Sequence, residues 1–243
     1  RYATYSLNNL DVTVGNYYEQ FGSGLVFRTY ENKGLGVDNA MDGVRIKYNI
    51  LNSIDIKSFI GTSRTYLEYS DGIVRGIDVE TNLFELLALE KSTNLILGSS
   101  FVSRFQKDNN PKFNLPQNVG VYGLRSNLIS GNFNYYLEYV HKYNDPAGSI
   151  ADNSNNYASG NAIKTSLTYF QKGLGFSFDA HRVDNMEFRS ERQQSKEYII
   201  NYIPTLSKQH SYTLLAFYPC ATQSNGEIGF QSDLYYKFNR GTT

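Results

Sequence analysis

Tryptophan is absent from the 243-residue chain, cysteine occurs once, and there are three histidines, two methionines and five prolines. One cysteine cannot close an intramolecular disulfide, so Cys220, next to Pro219, reads as a small apolar filler. Cysteine and histidine are too few and too scattered for a zinc site, and no cofactor is expected. Net charge is zero, 23 basic against 23 acidic side chains, which removes the general electrostatic pull that nucleic-acid binding needs. No segment has the roughly 18 uncharged apolar residues of a membrane helix. The most apolar stretch, Leu83 to Leu89, is short and holds Glu85.

What is present is two-residue alternation. Ile228, Phe230, Leu234, Tyr236 and Phe238 share one strand face; Glu227, Gln231, Asp233 and Lys237 share the other. Leu10, Val12 and Val14 alternate with Asp11, Thr13 and Tyr17. Val44, Ile46, Tyr48 and Ile50 alternate with Arg45, Lys47 and Asn49. Ile77, Val79, Thr81 and Leu83 alternate with Asp78, Glu80 and Asn82. Leu95, Leu97, Phe101 and Phe105 share a face. Phe133, Tyr135, Leu137 and Tyr139 oppose Asn134, Tyr136 and Glu138, and Leu174, Phe176 and Phe178 oppose Ser177 and Asp179. Less regular strand candidates lie near 22–30, 54–65, 118–127, 162–171, 197–204 and 211–218, and a further one at 84–91. The periodicity predicts roughly a dozen strands.

Short turns at Ser130-Gly131, Gln171-Lys172-Gly173 and Ser92-Thr93-Asn94 alternate with longer polar connections over 31–42, 106–117, 143–161 and 182–196. This suits an up-and-down meander with two unlike rims. Alternation alone does not say which face points inward: a soluble sandwich buries the apolar face, a membrane barrel turns it out. Three features favour the second. The runs match the 9–11 residues of a tilted membrane strand. Tyrosines gather near strand ends, where interfacial girdles sit. The polar faces carry charges in mid-strand, as a wet or salt-bridged lumen would. The hydrophilic mean hydropathy fits a barrel, which needs only alternate apolar residues within the lipid band.

The expectation is therefore an all-β fold, an antiparallel up-and-down transmembrane β-barrel of about 12–14 strands, with 1–243 as a single barrel domain. Arg1 leads at once into strand-like residues, and Asn239 to Thr243 reads as a turn after a strand. These ends suggest an interior portion of a longer barrel protein, or one whose ends are not resolved.

Gly15-Asn16-Tyr17-Tyr18-Glu19-Gln20-Phe21-Gly22-Ser23-Gly24-Leu25, then Arg28-Thr29-Tyr30-Glu31, Leu35 to Ala40 and Gly43-Val44-Arg45 resemble a largely uncharacterised family of outer-membrane β-barrel proteins from Bacteroidota. His181 to Ser190 and the stretch from Tyr202-Ile203-Pro204 through Tyr218-Pro219 to Gly226-Glu227 point the same way. The resemblance spans nearly the whole chain. It implies a barrel in the bacterial outer membrane, with members longer at both ends, and carries no catalytic or ligand residues over.

Two polar groups stand out as candidate sites. Tyr17, Glu19, Gln20, Arg28, Glu31, Arg45 and Lys47 could form a charged constriction or a docking point inside a lumen; the plainer reading, which weighs more, is an interior ion-pair ladder. His181, Arg182, Asp184, Asn185, Glu187, Arg189, Glu191 and Arg192 read first as a loop held by Arg–carboxylate pairs and second as a protein-docking loop. Asp38 to Gly43 has oxygen ligands but lacks a calcium-loop pattern, so a polar turn is favoured and no metal is expected. Asp145 to Gly148 and Asp152 to Asn156 read as solvated loop. His210 and Ser211 are adjacent and would face opposite ways in a strand, which rules them out as base and nucleophile there.

Three functions follow in order. The first is a non-enzymatic outer-membrane barrel, a subunit of a larger complex for protein export, barrel assembly or nutrient uptake. Its partners would be outer-membrane lipid and other outer-membrane or periplasmic proteins. The second is a passive or gated pore, which requires a lumen open at the level of Arg45 and Lys47. The third is a rim-active enzyme, which requires a histidine within hydrogen-bond distance of a serine or carboxylate on a neighbouring strand.

Overall fold

The computed structural model describes residues 1–34, 36–89, 92–108, 114–145, 158–192, 198–206 and 222–238. Strands β1 (Tyr2–Leu7) and β2 (Leu10–Tyr17) form the first hairpin. Two small hairpins follow, β3 (Gln20–Phe21) with β4 (Phe27–Arg28), and β5 (Glu31–Asn32) with β6 (Val37–Asp38). The main sheet resumes with β7 (Met41–Ile50), β8 (Ile54–Thr65) and β9 (Glu68–Asn82). One helical turn, α1 (Leu83–Leu86), leads to β10 (Thr93–Phe105), β11 (Asn118–Ser130), β12 (Phe133–Asp145), β13 (Ala158–Gln171), β14 (Leu174–Asp184) and β15 (Gly226–Tyr236).

Eleven strands make one sheet in the order β1-β2-β7-β8-β9-β10-β11-β12-β13-β14-β15, every neighbour antiparallel. The meander is the expected one. Its closure is not: among the described residues β1 and β15 remain edges and do not pair with each other. Among the described residues the main sheet has eleven strands against the 12–14 expected, for local reasons. The candidate at 22–30 is broken by Gly22 and Gly24, both at positive φ, so Phe21 and Phe27 fold back on each other as a hairpin. Of the candidate at 197–204, Tyr198 and Ile200 bond Ser190 and Phe188 instead of the main sheet, and Tyr202 N donates to Gly24 O at the hairpin tip at 2.9 Å. Leu83 to Leu86 coil because the Asn82 side chain caps the Glu85 amide, which replaces the strand expected at 84–91. The candidate at 211–218, Cys220, His210-Ser211 and residues 152–156 lie outside the described residues.

The connections sort by rim. At one end β1–β2, β7–β8, β11–β12 and β13–β14 are joined by tight turns, and β9–β10 by the α1 turn. At the other end lie the long connections after β2, β10, β12 and β14, with the tight Tyr66-Leu67 turn of β8–β9 as the exception.

The central strands put apolar side chains on one face and mostly polar or small ones on the other, and the apolar face is the exposed one; in the edge strand β1 both faces are exposed. In β9, Ile73 and Ile77 are open while Ser70, Gly72, Val74, Gly76 and Asp78 are buried. In β12, Phe133 is 51% exposed and Tyr135 and Tyr139 are 39%, whereas Glu138, Val140 and Lys142 are at most 1%. Aromatic rings gather at two levels of the outer face. Near the short turns Phe133 lies 4.5 Å from Tyr169, and Tyr236 lies 4.8 Å from Phe238. Near the long loops Tyr122, His141 and Tyr143 touch at 5.3–5.9 Å.

The inner face is covered from within. Residues 18–34 and 36–40, between β2 and β7, and residues 186–192 and 198–206, after β14, both turn inward from the long-loop rim. Phe21, Leu25, Val26 and Phe27 from the first, and Met186, Phe188 and Ile200 from the second, meet Phe59, Val74, Val102, Val121 and Val140 of the wall in one buried apolar kernel. Phe27 stacks on Phe59 at 4.4 Å. The expected wet or salt-bridged lumen is thus filled by chain, with an apolar kernel and charged side chains buried on both sides of it.

Candidate functional site

Because the wall offers alternate polar residues inward, the two inward segments are bound to it by ions as well as by apolar contact. Glu19, at the start of the first segment, is nearly buried. Lys47 approaches its carboxylate at 2.9 Å, Arg45 at 3.4 Å and Lys57 at 3.8 Å. Arg45 also donates to Thr13 Oγ1 and Tyr18 O, and its guanidinium lies 5.5 Å from the Tyr17 ring. Of the predicted cluster, Tyr17, Glu19, Arg45 and Lys47 therefore come together. Arg28 and Glu31 do not. Arg28 lies between the rings of Tyr30 (4.5 Å) and Tyr202 (4.1 Å), and its amide donates to Ile200 O, so it clasps the two inward segments together. Glu31 stands on the exposed β5–β6 hairpin, 3.8 Å from Lys33.

A second cluster crosses β9, β10 and β11. Arg125 lies flat over Gly98, where a Cβ would sit 2.4 Å from Nε. Its fork donates to both oxygens of Asp78 (2.7 and 3.0 Å), to Ser100 Oγ (2.8 Å) and to Glu80 (2.8 Å). Bidentate, charge-assisted contacts of this kind are the strong ones. Next to it the tip of the first segment rests on Glu138, which accepts from Ser23 N at 3.3 Å and from the Tyr136 hydroxyl at 2.8 Å.

A third cluster fixes the second segment. Arg104 pairs with Asp145 at 2.9 Å, both side chains fully buried, and donates to Arg189 O at 3.0 Å. Lys142 Nζ donates to Glu187 O at 2.7 Å. Glu187 and Arg189 pair with each other, and burial pulls the Arg189 guanidinium down from its ordinary pKa against the opposing charge of Asp145. The stretch predicted as one loop is thus divided. Arg182 and Asp184 stand exposed at the end of β14. Asn185, at positive φ, donates to Ala158 O and Ser159 O and turns the chain. Beyond it Glu187 and Arg189 point into the interior.

Sequence reading missed Lys57, Arg104, Arg125, Lys142 and Asp145 as site residues. The parity of the alternation carried the signal for the first four: each stands on the face opposite its strand's outer apolar row.

These charges are answered pairwise, so the clusters join chain to chain. His181 Nε2 lies 2.9 Å from Glu227 Oε1 on the neighbouring strand, the contact expected of a rim enzyme. The imidazole is buried, however, and its Nδ1 has no partner, so the described residues show no nucleophile aligned with it. No group of three or more His, Cys, Asp or Glu side chains able to hold a metal occurs among the described residues. Cavities remain at both ends. One of about 630 Å³ at the long-loop rim is lined by Tyr30, Asp38, Asn39, Tyr66 and Tyr202 among others. Two of about 420 and 270 Å³ toward the short turns share Lys164.

A family model described as a family of unknown function, DUF6029, matches residues 1–243. The chain belongs to DUF6029. No curated protein matches it. For this DUF6029 member the geometry has to carry the functional reading.

Proposed function

We propose that this DUF6029 chain forms the wall and filling of an outer-membrane β-barrel, and that it acts there as a non-enzymatic component of a larger assembly. One observation carries the reading: the same strands expose their apolar rows and bury their charges, the reverse of a water-soluble sheet. The two aromatic levels support it. From Phe133 to Tyr143 the chain covers about 33 Å at about 3.3 Å per residue. A strand tilted as membrane barrels tilt theirs would span about 25 Å, the height of an outward apolar band. Hydrocarbon has no partners for the backbone of β1 and β15, so in lipid both edges must be paired by further strand.

The filled interior favours a component over a conduit. Solute passage would require the two inward segments to leave, breaking the ion pairs of Glu19 and the hydrogen bonds that Glu138, Arg104 and Lys142 make to them. What remains open to partners is the long-loop rim with its tyrosine- and amide-lined cavity.

Gentle detergent extraction from native membranes tests both parts. Heat-dependent gel mobility and reproducible co-purification of other envelope proteins are expected. Extraction without detergent would overturn the membrane reading, and a lone monomer would overturn the assembly reading. In planar bilayers the folded protein is expected to stay closed; steady conductance would favour the pore instead.

A further inference from the structure

We propose that the outer face carries a binding site for an anionic phospholipid, with Arg75 holding its phosphate. The proposal rests on the membrane reading above. Arg75 stands in mid-strand on the outer face of β9, between Ile73 and Ile77. Its Nε donates to Ser103 Oγ at 3.1 Å and its Nη2 to Asn118 Oδ1 at 2.8 Å. Both partners are neutral. No carboxylate pairs with the guanidinium, and Nη1 has no protein acceptor, among the described residues. By contrast the buried or half-buried arginines of the wall, Arg45, Arg64, Arg104 and Arg125, all have carboxylate partners.

The guanidinium opens onto a groove of about 760 Å³ walled by Ile60, Ile77, Phe101 and Tyr143. Its floor is low because Gly120 has no side chain; a Cβ there would lie 3.1 Å from the Phe101 ring and 3.3 Å from that of Tyr143. An oriented cation at one end of an apolar trough matches a lipid with a charged head and an acyl chain. A lone arginine on a lipid-facing strand is costly near the bilayer centre and tolerated toward the interface. Two neutral groups that hold its fork in plane leave it ready to bond a phosphate, which guanidinium binds with two parallel hydrogen bonds.

The chain has no tryptophan, so Phe101→Trp gives a single fluorescent reporter at the groove, and Phe178→Trp gives a control on the outer face of β14. Each full-length protein is folded into bilayers containing brominated phosphatidylglycerol or brominated phosphatidylcholine, and quenching is compared per lipid. At the groove reporter phosphatidylglycerol should quench about fivefold more strongly, the worth of one basic side chain beside an anionic lipid. The control ratio should be near one. Adding Arg75→Gln should bring the groove ratio to the control value, and Arg75→Lys should leave it in between. Should Arg75→Gln lose its heat-dependent gel shift, the pair Ser103→Ala with Asn118→Ala, which keeps the charge and frees its orientation, should lower the ratio instead.

Equal quenching by both lipids at both reporters would overturn the site and leave the membrane reading standing. Quenching by neither would overturn both. Lipid A that displaces phosphatidylglycerol at equal mole fraction would overturn the phospholipid assignment in favour of a glycolipid phosphate.

Discussion

Along β12, Phe133, Tyr135, Leu137 and Tyr139 look outward, while Tyr136, Glu138, Val140 and Lys142 look inward. Neighbours in sequence, these two rows obey opposite rules. The outer row is apolar, exposed and unmatched by any described segment. The inner row is polar or small, buried or half-buried, and matched by partners within. Glu138 meets the Ser23 amide, Lys142 meets Glu187 O, and Val140 meets the kernel. The difference teaches that specificity lies within: ion pairs and apolar contacts place two chain segments against one wall, while the outer row asks of its surroundings only that they be apolar. Substitutions on the two faces should therefore fail for different reasons.

The largest effect is expected inside. Arg104→Met takes the bonded guanidinium away from the buried Asp145 carboxylate, and removes the donor to Arg189 O. Breaking one partner of a buried pair costs about 3–5 kcal/mol. The urea midpoint of the refolded protein should fall accordingly, and Arg104→Met with Asp145→Leu should recover much of the loss. A double variant as weak as the single one would show that the pair itself, not the stranded charge, mattered. On the outer face Leu124→Lys separates lipid from water. In lipid a lysine near mid-band costs about 2–4 kcal/mol. In water an exposed leucine can be replaced within about 0.5 kcal/mol. Unfolding in vesicles against unfolding in dilute detergent reads the difference, and no penalty in vesicles would remove the basis of the two-face comparison.

The wall was legible in the sequence because a strand's period is fixed by its backbone: the outer rows named from alternation, from Leu10-Val12-Val14 to Ile228-Phe230-Leu234, each lie on one face of one strand, although Leu83 turns into α1 and Phe238 lies past the end of β15. The filling was much less legible. Phe21, Leu25, Val26 and Phe27 are as apolar as a strand core, and only Gly22 and Gly24 hinted at a fold-back. Met186 and Phe188 were hidden among charges that read as a loop held by Arg–carboxylate pairs, and Ile200 lay in a strand candidate. Arg28 and Glu31 sit near Glu19 in sequence, yet a hairpin reversal sends one to a tyrosine clasp and the other to the surface. Lys57 belongs to Glu19 through a strand pairing that no local spacing reveals. Inward segments answer to the wall they meet, so their pattern is set by partners distant in sequence.

Two smaller perturbations sharpen the inner side of the comparison. Arg28→Ala removes the clasp between Tyr30 and Tyr202 while leaving wall and kernel in place. Cation–π contacts contribute about 0.5–2 kcal/mol each, more when desolvated. The expected result is faster amide exchange at Ile200 and Tyr202 with little change at β9 or β10, read by hydrogen-exchange mass spectrometry; equal loosening throughout would mean that the segments and the wall unfold as one unit. Lys57→Met should do least. Lys57 is the most distant of three cations around Glu19, at 3.8 Å, and its side chain is 33% exposed. Ion pairs so exposed contribute about 0–1 kcal/mol. With Arg45 and Lys47 still in place, the urea midpoint should move by no more than that. A loss as large as that of Arg104→Met would mean that Glu19 depends on all three cations, and that the first segment is held at its root by charge more than by the kernel at its tip.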